Sequence, residues 1–271
     1  MRYARIFTDR LPRFARIEHH DGQDWVEEML PDFPEYESQW ANQYGTEDLF
    51  FEPFPLMDAR LLAPVVPSKI ICVGRNYRDH AAELGNEVPK EPLLFLKPPS
   101  SLIGPGESIV YPKLSSRVDY EGELGIVMGR RARNIGPDED VRQYIRGYTI
   151  VNDVTARDLQ KSDGQWTRGK GFDTFCPVGP FVTDDIDPVS NSIGLKTTLN
   201  GERKQTGETR EFIFDIPTVL RYISAILTLE PGDLIATGTP AGVGPMQPGD
   251  SVEVTVAGIG TLTNPVVAAQ G

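Results

Sequence analysis

Two glutamates, Glu121 and Glu123, stand two residues apart in Asp119-Tyr-Glu-Gly-Glu-Leu-Gly125, just ahead of the strand-like run Ile126-Val-Met128. Side chains alternate across a pleat, so in a strand both carboxylates leave the same face. Two such charges repel, and burying either is expensive unless a cation lies between them. The fold must therefore expose this face or bring a counter-charge to it. Asp153, at the end of the apolar run Tyr148-Thr-Ile-Val151, can supply a third oxygen ligand. Three carboxylates with open positions suit Mg2+ or Mn2+, and Ca2+ accepts the same oxygen donors. Taken alone, Glu-x-Glu reads as a solvated strand face.

The organisation along the chain favours strands. Gly and Pro number 26 and 23 in 271 residues, which suits many short strands and turns rather than long helices. Residues 1–65 read as a small N-terminal, β-containing domain. Tyr3-Ala-Arg-Ile-Phe7 and Phe14-Ala-Arg-Ile-Glu18 form short strands, with a polar turn at Asp21-Gly22. An acidic, aromatic-rich segment follows from about Trp25 to Phe54, then the linker Leu62-Ala-Pro-Val-Val-Pro67. In residues 66–271, strand-like runs recur at Lys69–Gly74, Pro92–Lys97, Ile126–Met128, Tyr148–Val151, Leu195–Leu199, Leu234–Ala236 and Ser251–Thr255. Helical spacing predicts one helix over Tyr77–Leu84, closed by Gly85. A second, amphipathic helix is predicted from Ile216 to Thr228 through Val219, Leu220, Ile223 and Ile226. The fold class is β-rich α+β.

Charge and composition exclude several partners. The net charge of −12 is concentrated between Ile17 and Ala59, where twelve acids occur without a Lys or Arg. Phosphate binding needs clustered Lys and Arg, so nucleic acid is not an expected partner. No apolar run approaches the roughly 18 residues that span a bilayer, so no membrane is expected either. The N-terminus lacks the apolar stretch of a secretory signal, and Cys72 and Cys176 show no metal or redox spacing. Both observations fit a cytoplasmic protein.

Three further constellations surround the acidic pair. Gly74-Arg-Asn-Tyr-Arg-Asp-His80 runs into Ala-Ala-Glu83, Arg168-Gly-Lys-Gly-Phe172 follows Asp153, and Ala236-Thr-Gly-Thr-Pro-Ala-Gly-Val-Gly244 lies near the end. In this order and spacing, from Lys69 to Pro265, the chain resembles the fumarylacetoacetate hydrolase family. The resemblance implies a mixed β-sandwich roll with a metal at its mouth, held by Glu121, Glu123 and Asp153. Fumarylacetoacetases proper place a further carboxylate seven positions before the catalytic histidine. This chain has Val73 there, leaving that position to water or substrate.

His80 and Glu83, three apart on the predicted helix, share a face, and a carboxylate beside an imidazole raises its basicity. The resemblance implies that they form the catalytic base. It makes Lys170, between two glycines, the lysine that neutralises charge at the developing oxyanion. Arg157 and Gln160 match positions that orient substrate or water, although a structural salt bridge explains Arg157 as well. Thr239 offers a hydroxyl and an N–H to a substrate carboxylate, unless it merely forms a Gly-Pro turn. Arg75, Arg78 and Lys97 supply local positive charge for an anionic substrate. Asp119 reads as a supporting residue rather than a ligand.

The family handles small anionic 2-oxo acids, commonly as homodimers. The first expectation is hydrolysis of a C–C bond in a 2,4-dioxo acid, of the acylpyruvate type, with the metal as Lewis acid for the enolate. The alternatives are isomerisation of 2-hydroxyhepta-2,4-diene-1,7-dioate or decarboxylation and tautomerisation of oxaloacetate. A non-catalytic metabolite-binding protein is the reading from another class. The segment Arg78–Lys90 is expected to act as a lid.

Overall fold

The computed structural model describes residues 1–8, 11–30, 51–83 and 88–270. Its largest sheet has 12 strands. The path runs through Phe54–Pro55, Gln23–Leu30, Leu11–His20, Arg2–Thr8, Cys176–Thr183, Ile145–Asn152, Gly122–Met128, Leu234–Ala236, Ile70–Gly74 and Leu93–Lys97. Neighbours along this path are antiparallel except Leu234–Ala236 and Ile70–Gly74, which run parallel. A 5-stranded sheet is ordered Glu202–Glu208, Gly194–Leu199, Ser251–Val256, Gly260–Ala268 and Ile109–Tyr111. A 3-stranded sheet joins Thr155–Ala156, Val118–Tyr120 and Gly244–Met246. This is the β-rich α+β architecture that the short apolar runs imply.

The core lies between the two large sheets. Leu124, Ile126, Met128 and Ile150 interdigitate with Leu195, Val254, Val256 and Leu262 from the facing sheet. Each such buried aliphatic side chain is worth about 1.5–3 kcal/mol relative to exposure. The opposite face of the same strands is buried too, through Cys72, Val127, Val151, Val178 and Ala236. Glu123 shares its strand face with Val127, so it points into this second buried layer.

The N-terminal strands extend the large sheet, with Arg2 opposite Thr183 and Tyr3 opposite Val182. Their hairpin turns at Asp21 (φ 54°) and Gly22 (φ 77°), two consecutive left-handed residues whose twist matches the flanking strands. Strands Gln23–Leu30, Cys176–Thr183, Glu202–Glu208 and Gly260–Ala268 were not among the expected runs. Part of the acidic segment, residues 31–50, lies outside the described residues, as does the expected cap Gly85. The first helix is Arg78–Glu83. The helix expected to reach Thr228 ends at Ile226, capped at its start by Asp215, which accepts from Thr218 N at 2.9 Å. Ile226, predicted to face the core, is 52% exposed because the chain turns extended at the next residue.

The predicted strand through Asp119–Gly125 is in fact two. Val118–Tyr120 belongs to the small sheet and Gly122–Met128 to the large one, and the chain changes sheet at Glu121. Asp153 lies at the matching crossing, between Ile145–Asn152 and Thr155–Ala156.

Candidate metal centre

Glu121, Glu123 and Asp153 meet below the surface, with one carboxylate oxygen from each within 4.8 Å of the others. All three are at least 96% buried, with exposures of 4%, 2% and 1%. Their charge is answered from three directions. Lys170, at the end of the short helix Thr167–Lys170, donates to Asp153 Oδ2 at 2.5 Å and Glu121 Oε2 at 2.8 Å. Lys97, at the end of strand Leu93–Lys97, donates to Asp153 Oδ1 at 2.7 Å and Val154 O at 3.1 Å. Arg157, which opens helix Arg157–Asp163, donates to Glu121 Oε1 at 2.5 Å, Asp119 Oδ2 at 2.9 Å and Gln160 Oε1 at 2.7 Å.

These contacts do not treat the three acids alike. Burial alone would raise the pKa of Glu121, but the charges of Lys170 and Arg157 overcome it and hold the carboxyl well below its usual range. The same burial would lower Lys170, yet Asp153 and Glu121 keep it firmly protonated. Glu123 accepts from Gly238 N at 2.7 Å, and among the described residues no cation reaches it. Burial and the neighbouring charges of Asp153 and Glu121 push its pKa well up. A hard oxygen set with one uncompensated carboxylate fits a divalent cation such as Mg2+ or Mn2+, which would reverse that shift. The turn carrying Gly238 (φ 101°) brings that N–H inward, and a Cβ there would lie 2.7 Å from Asn76 Cβ.

His80 is buried at the same mouth, 4% exposed. Burial lowers its pKa, outweighing the opposite pull of the Glu121 and Glu83 charges, so the imidazole is held neutral. Its Nδ1 lies 3.5 Å from Glu83 Oε2, at the outer limit of a hydrogen bond. Glu83 also accepts from Gly242 N, with both oxygens at 3.2 Å, and this ties the helix Arg78–Glu83 to the loop after Thr239.

The remaining expected residues divide. Gln160 reaches the cluster through Arg157. Thr239 commits its hydroxyl proton to Gly122 O at 2.8 Å, so that proton is turned away from a substrate carboxylate. Asp119, fully buried, is held by Arg117 and Arg157, in keeping with a supporting role. The Arg75 guanidinium lies 5.9 Å from the centroid of the Trp166 ring, and its backbone is left-handed at φ 58°. Arg78 is exposed.

Sequence reasoning passed over several buried amides. Asn76 donates to Thr237 O at 2.8 Å and Phe214 O at 3.1 Å, fixing the turn that carries Gly238. Asn152 accepts from Glu121 N at 2.9 Å, and Gln205 bridges Gly122 to the Thr239–Pro240 turn. Asn152 adjoins Asp153, which was a signal. Gln205 sits in the polar run Glu202–Glu208, which gives no hint of burial.

Known proteins share this arrangement's fold and sequence. A crystal structure of 2-hydroxyhepta-2,4-diene-1,7-dioate isomerase from Mycobacterium marinum superposes with a TM-score of 0.85 at 45% identity, covering 100% of both chains. The mitochondrial oxaloacetate decarboxylase of Dictyostelium discoideum is 46% identical over 198 residues, 71% of this chain and 90% of its own. Oxaloacetate tautomerase YisK of Bacillus subtilis is 40% identical over 242 residues, 84% of this chain and 80% of its own. Residues 69–267 match the fumarylacetoacetate (FAA) hydrolase C-terminal family, and the chain belongs to that family.

Proposed function

We propose that this protein is a divalent-metal-dependent enzyme that moves a proton, or removes carbon dioxide, at the carbon next to the 2-oxo group of a small anionic acid. The observation that carries the reading is the buried triad Glu121, Glu123 and Asp153, balanced by Lys97, Lys170 and Arg157. When bound there, a divalent ion would draw electron density from the substrate carbonyl and favour the enolate. Lys170 is placed to stabilise negative charge growing on the 2-oxo oxygen, in a site where burial strengthens every charge. His80 serves as the proton carrier. With Nδ1 toward Glu83, its Nε2 is left to take a proton from carbon or return one. Arg157 and Gln160, joined to each other, orient the acid on one side, and Arg75 offers charge at the rim.

Oxaloacetate-type acids are the first substrates to test, because relatives named for oxaloacetate tautomerisation and decarboxylation are 40% and 46% identical. The acylpyruvate hydrolysis expected from sequence is the second reading, and the proximity of Glu83 to His80 favours it. Wild type and His80→Ala are to be assayed with Mg2+ on oxaloacetate, acetylpyruvate and the heptadienedioate. The expected result is EDTA-sensitive turnover of oxaloacetate faster than acetylpyruvate cleavage, falling about 10²–10⁴-fold without His80. Faster acetylpyruvate cleavage would instead establish the hydrolase, and no turnover of any of the three would argue for a binding protein.

A further inference from the structure

At Glu121 the chain passes from one sheet to another, so a regular ladder cannot satisfy all the backbone groups of Glu121 and Gly122. Each nonetheless has a partner. Glu121 N donates to Asn152 Oδ1 at 2.9 Å, and Glu121 O accepts from Asp153 N at 2.8 Å. Gly122 N donates to Gln205 Oε1 at 3.0 Å, and Gly122 O accepts from Thr239 Oγ1 at 2.8 Å. Gln205 then donates through Nε2 to Thr239 Oγ1 and Pro240 O, each at 2.8 Å.

These bonds close a ring. Both polar atoms of Gly122 are held, and the two side chains that hold them are bonded to each other. The Gln205 amide has only one workable orientation. A flip would face Oε1 toward Pro240 O and Nε2 toward Gly122 N, acceptor against acceptor and donor against donor. Gln205 is 1% exposed, so water cannot substitute for a lost bond. On the other side of the peptide, a Cβ on Gly122 would lie 2.2 Å from Thr197 Oγ1 and 2.9 Å from Val254 Cγ1. The peptide is thus clamped on one face and walled on the other.

We propose that Gln205 is a positioning residue for the metal centre, fixing the separation of Glu121 and Glu123 before an ion arrives. It ties the peptide between the two glutamates to the turn carrying Gly238, whose N–H holds Glu123. The proposal rests on the reading of the triad as a metal site. Partners one shell beyond the ligands set ligand geometry, and their loss typically lowers metal affinity by about 10–100-fold.

The test compares full-length wild type with Gln205→Met, which keeps the length of the side chain and removes its hydrogen bonds. Mn2+ titration should show affinity weakened by about 10–100-fold in the variant. Asn264→Leu is the control. It removes a buried amide that donates to Gly104 O and Glu107 O at 2.9 and 2.8 Å, groups that belong neither to the clamp nor to the triad. It should lower the unfolding midpoint while leaving Mn2+ affinity unchanged. Wild type that binds no Mn2+ would overturn the metal reading itself. Wild type that binds, with Gln205→Met binding equally well, would overturn the clamp alone. Amide exchange in wild type decides the matter even if the variant does not fold. Gly122 N–H should be equally protected in EDTA and in Mg2+, and protection that appears only with Mg2+ would reject a preformed clamp.

Discussion

Replacing Lys97 with methionine separates two roles. The sequence placed Lys97 among substrate-binding residues, whereas its ammonium is buried and bonded to Asp153 Oδ1 at 2.7 Å and Val154 O at 3.1 Å. Methionine can fill the same slot without the charge. Unit charges 2.7 Å apart attract by about 6 kcal/mol at an effective dielectric of about 20. Part of this is offset, because methionine has no ammonium to desolvate. The net loss should therefore fall at about 3–5 kcal/mol, the range for removing one partner of a buried pair. That loss belongs to the metal-free protein, where among the described residues only Lys170 and Arg157 remain to balance three acids. A divalent ion relieves the deficit, so Mg2+ should restore more stability to the variant than it adds to wild type. By linkage the variant should then bind the ion more tightly, about tenfold for each 1.4 kcal/mol relieved. Urea unfolding in EDTA and across a Mg2+ series, with Mn2+ titration, reads both effects. A variant as stable as wild type in EDTA but with a raised KM would refute this reasoning and return Lys97 to substrate binding.

Glu123→Ala should abolish Mn2+ binding and turnover, because it removes the acid of the triad that forms no ion pair among the described residues; isothermal titration that still shows a full site would contradict this. Gly122→Ala should destabilise by about 1–3 kcal/mol through overpacking, since its Cβ would lie 2.2 Å from Thr197 Oγ1, and should weaken Mn2+ binding as well; a wild-type urea midpoint would argue against it. Asp158 gives a pH dependence. Burial alone would raise its pKa, but Ser115 Oγ, the Ser116 N–H and hydroxyl and Leu159 N bring it down to about 2. A depressed carboxylate stabilises the fold above its unfolded pKa, near 3.9, and loses that contribution as pH falls toward about 2. Asp158→Asn should flatten that part of the stability–pH curve, and an unchanged curve would remove Asp158 from the account.

Much of the site was legible because its residues carry charge in unusual company. Glu-x-Glu, Asp153 after an apolar run, and lysine between glycines are all visible to a reader who asks what would neutralise what. The amides were not, because Asn76 and Gln205 act through backbone groups whose need arises only when the chain folds. Strand Cys176–Thr183 escaped notice although it is buried throughout, because Pro177, Gly179 and Pro180 read as turn signals. Strand Glu202–Glu208 is polar along most of its length because its outer face is solvated. Helix Arg157–Asp163 lacks an N-cap side-chain bond, so it gave no start signal.

The change of sheet at Glu121 explains why the three acids converge. Gly122 lies opposite Asn152 in the large sheet, and Asp119 lies opposite Thr155 in the small one, so the antiparallel register is the same on both sides of the crossing. Glu121 and Asp153 therefore face each other across the gap, at the distance of a cross-strand pair. Glu123 joins them from within the strand by the two-residue period. An uninterrupted ladder would bond Glu121 and Asp153 through both pairs of backbone groups and continue, whereas here Asp153 N reaches Glu121 O but Glu121 N turns to Asn152 Oδ1. Diverging sheets open a mouth at this point instead, and the lysines and arginine enter it from neighbouring elements. The same divergence leaves the N–H and C=O of Gly122, which point away from the strand carrying Asn152, without a strand to bond to, and Gln205 and Thr239 take that place. Charge convergence and the need for a clamp thus have one structural cause. A change that let the sheets run straight through would be expected to remove both together.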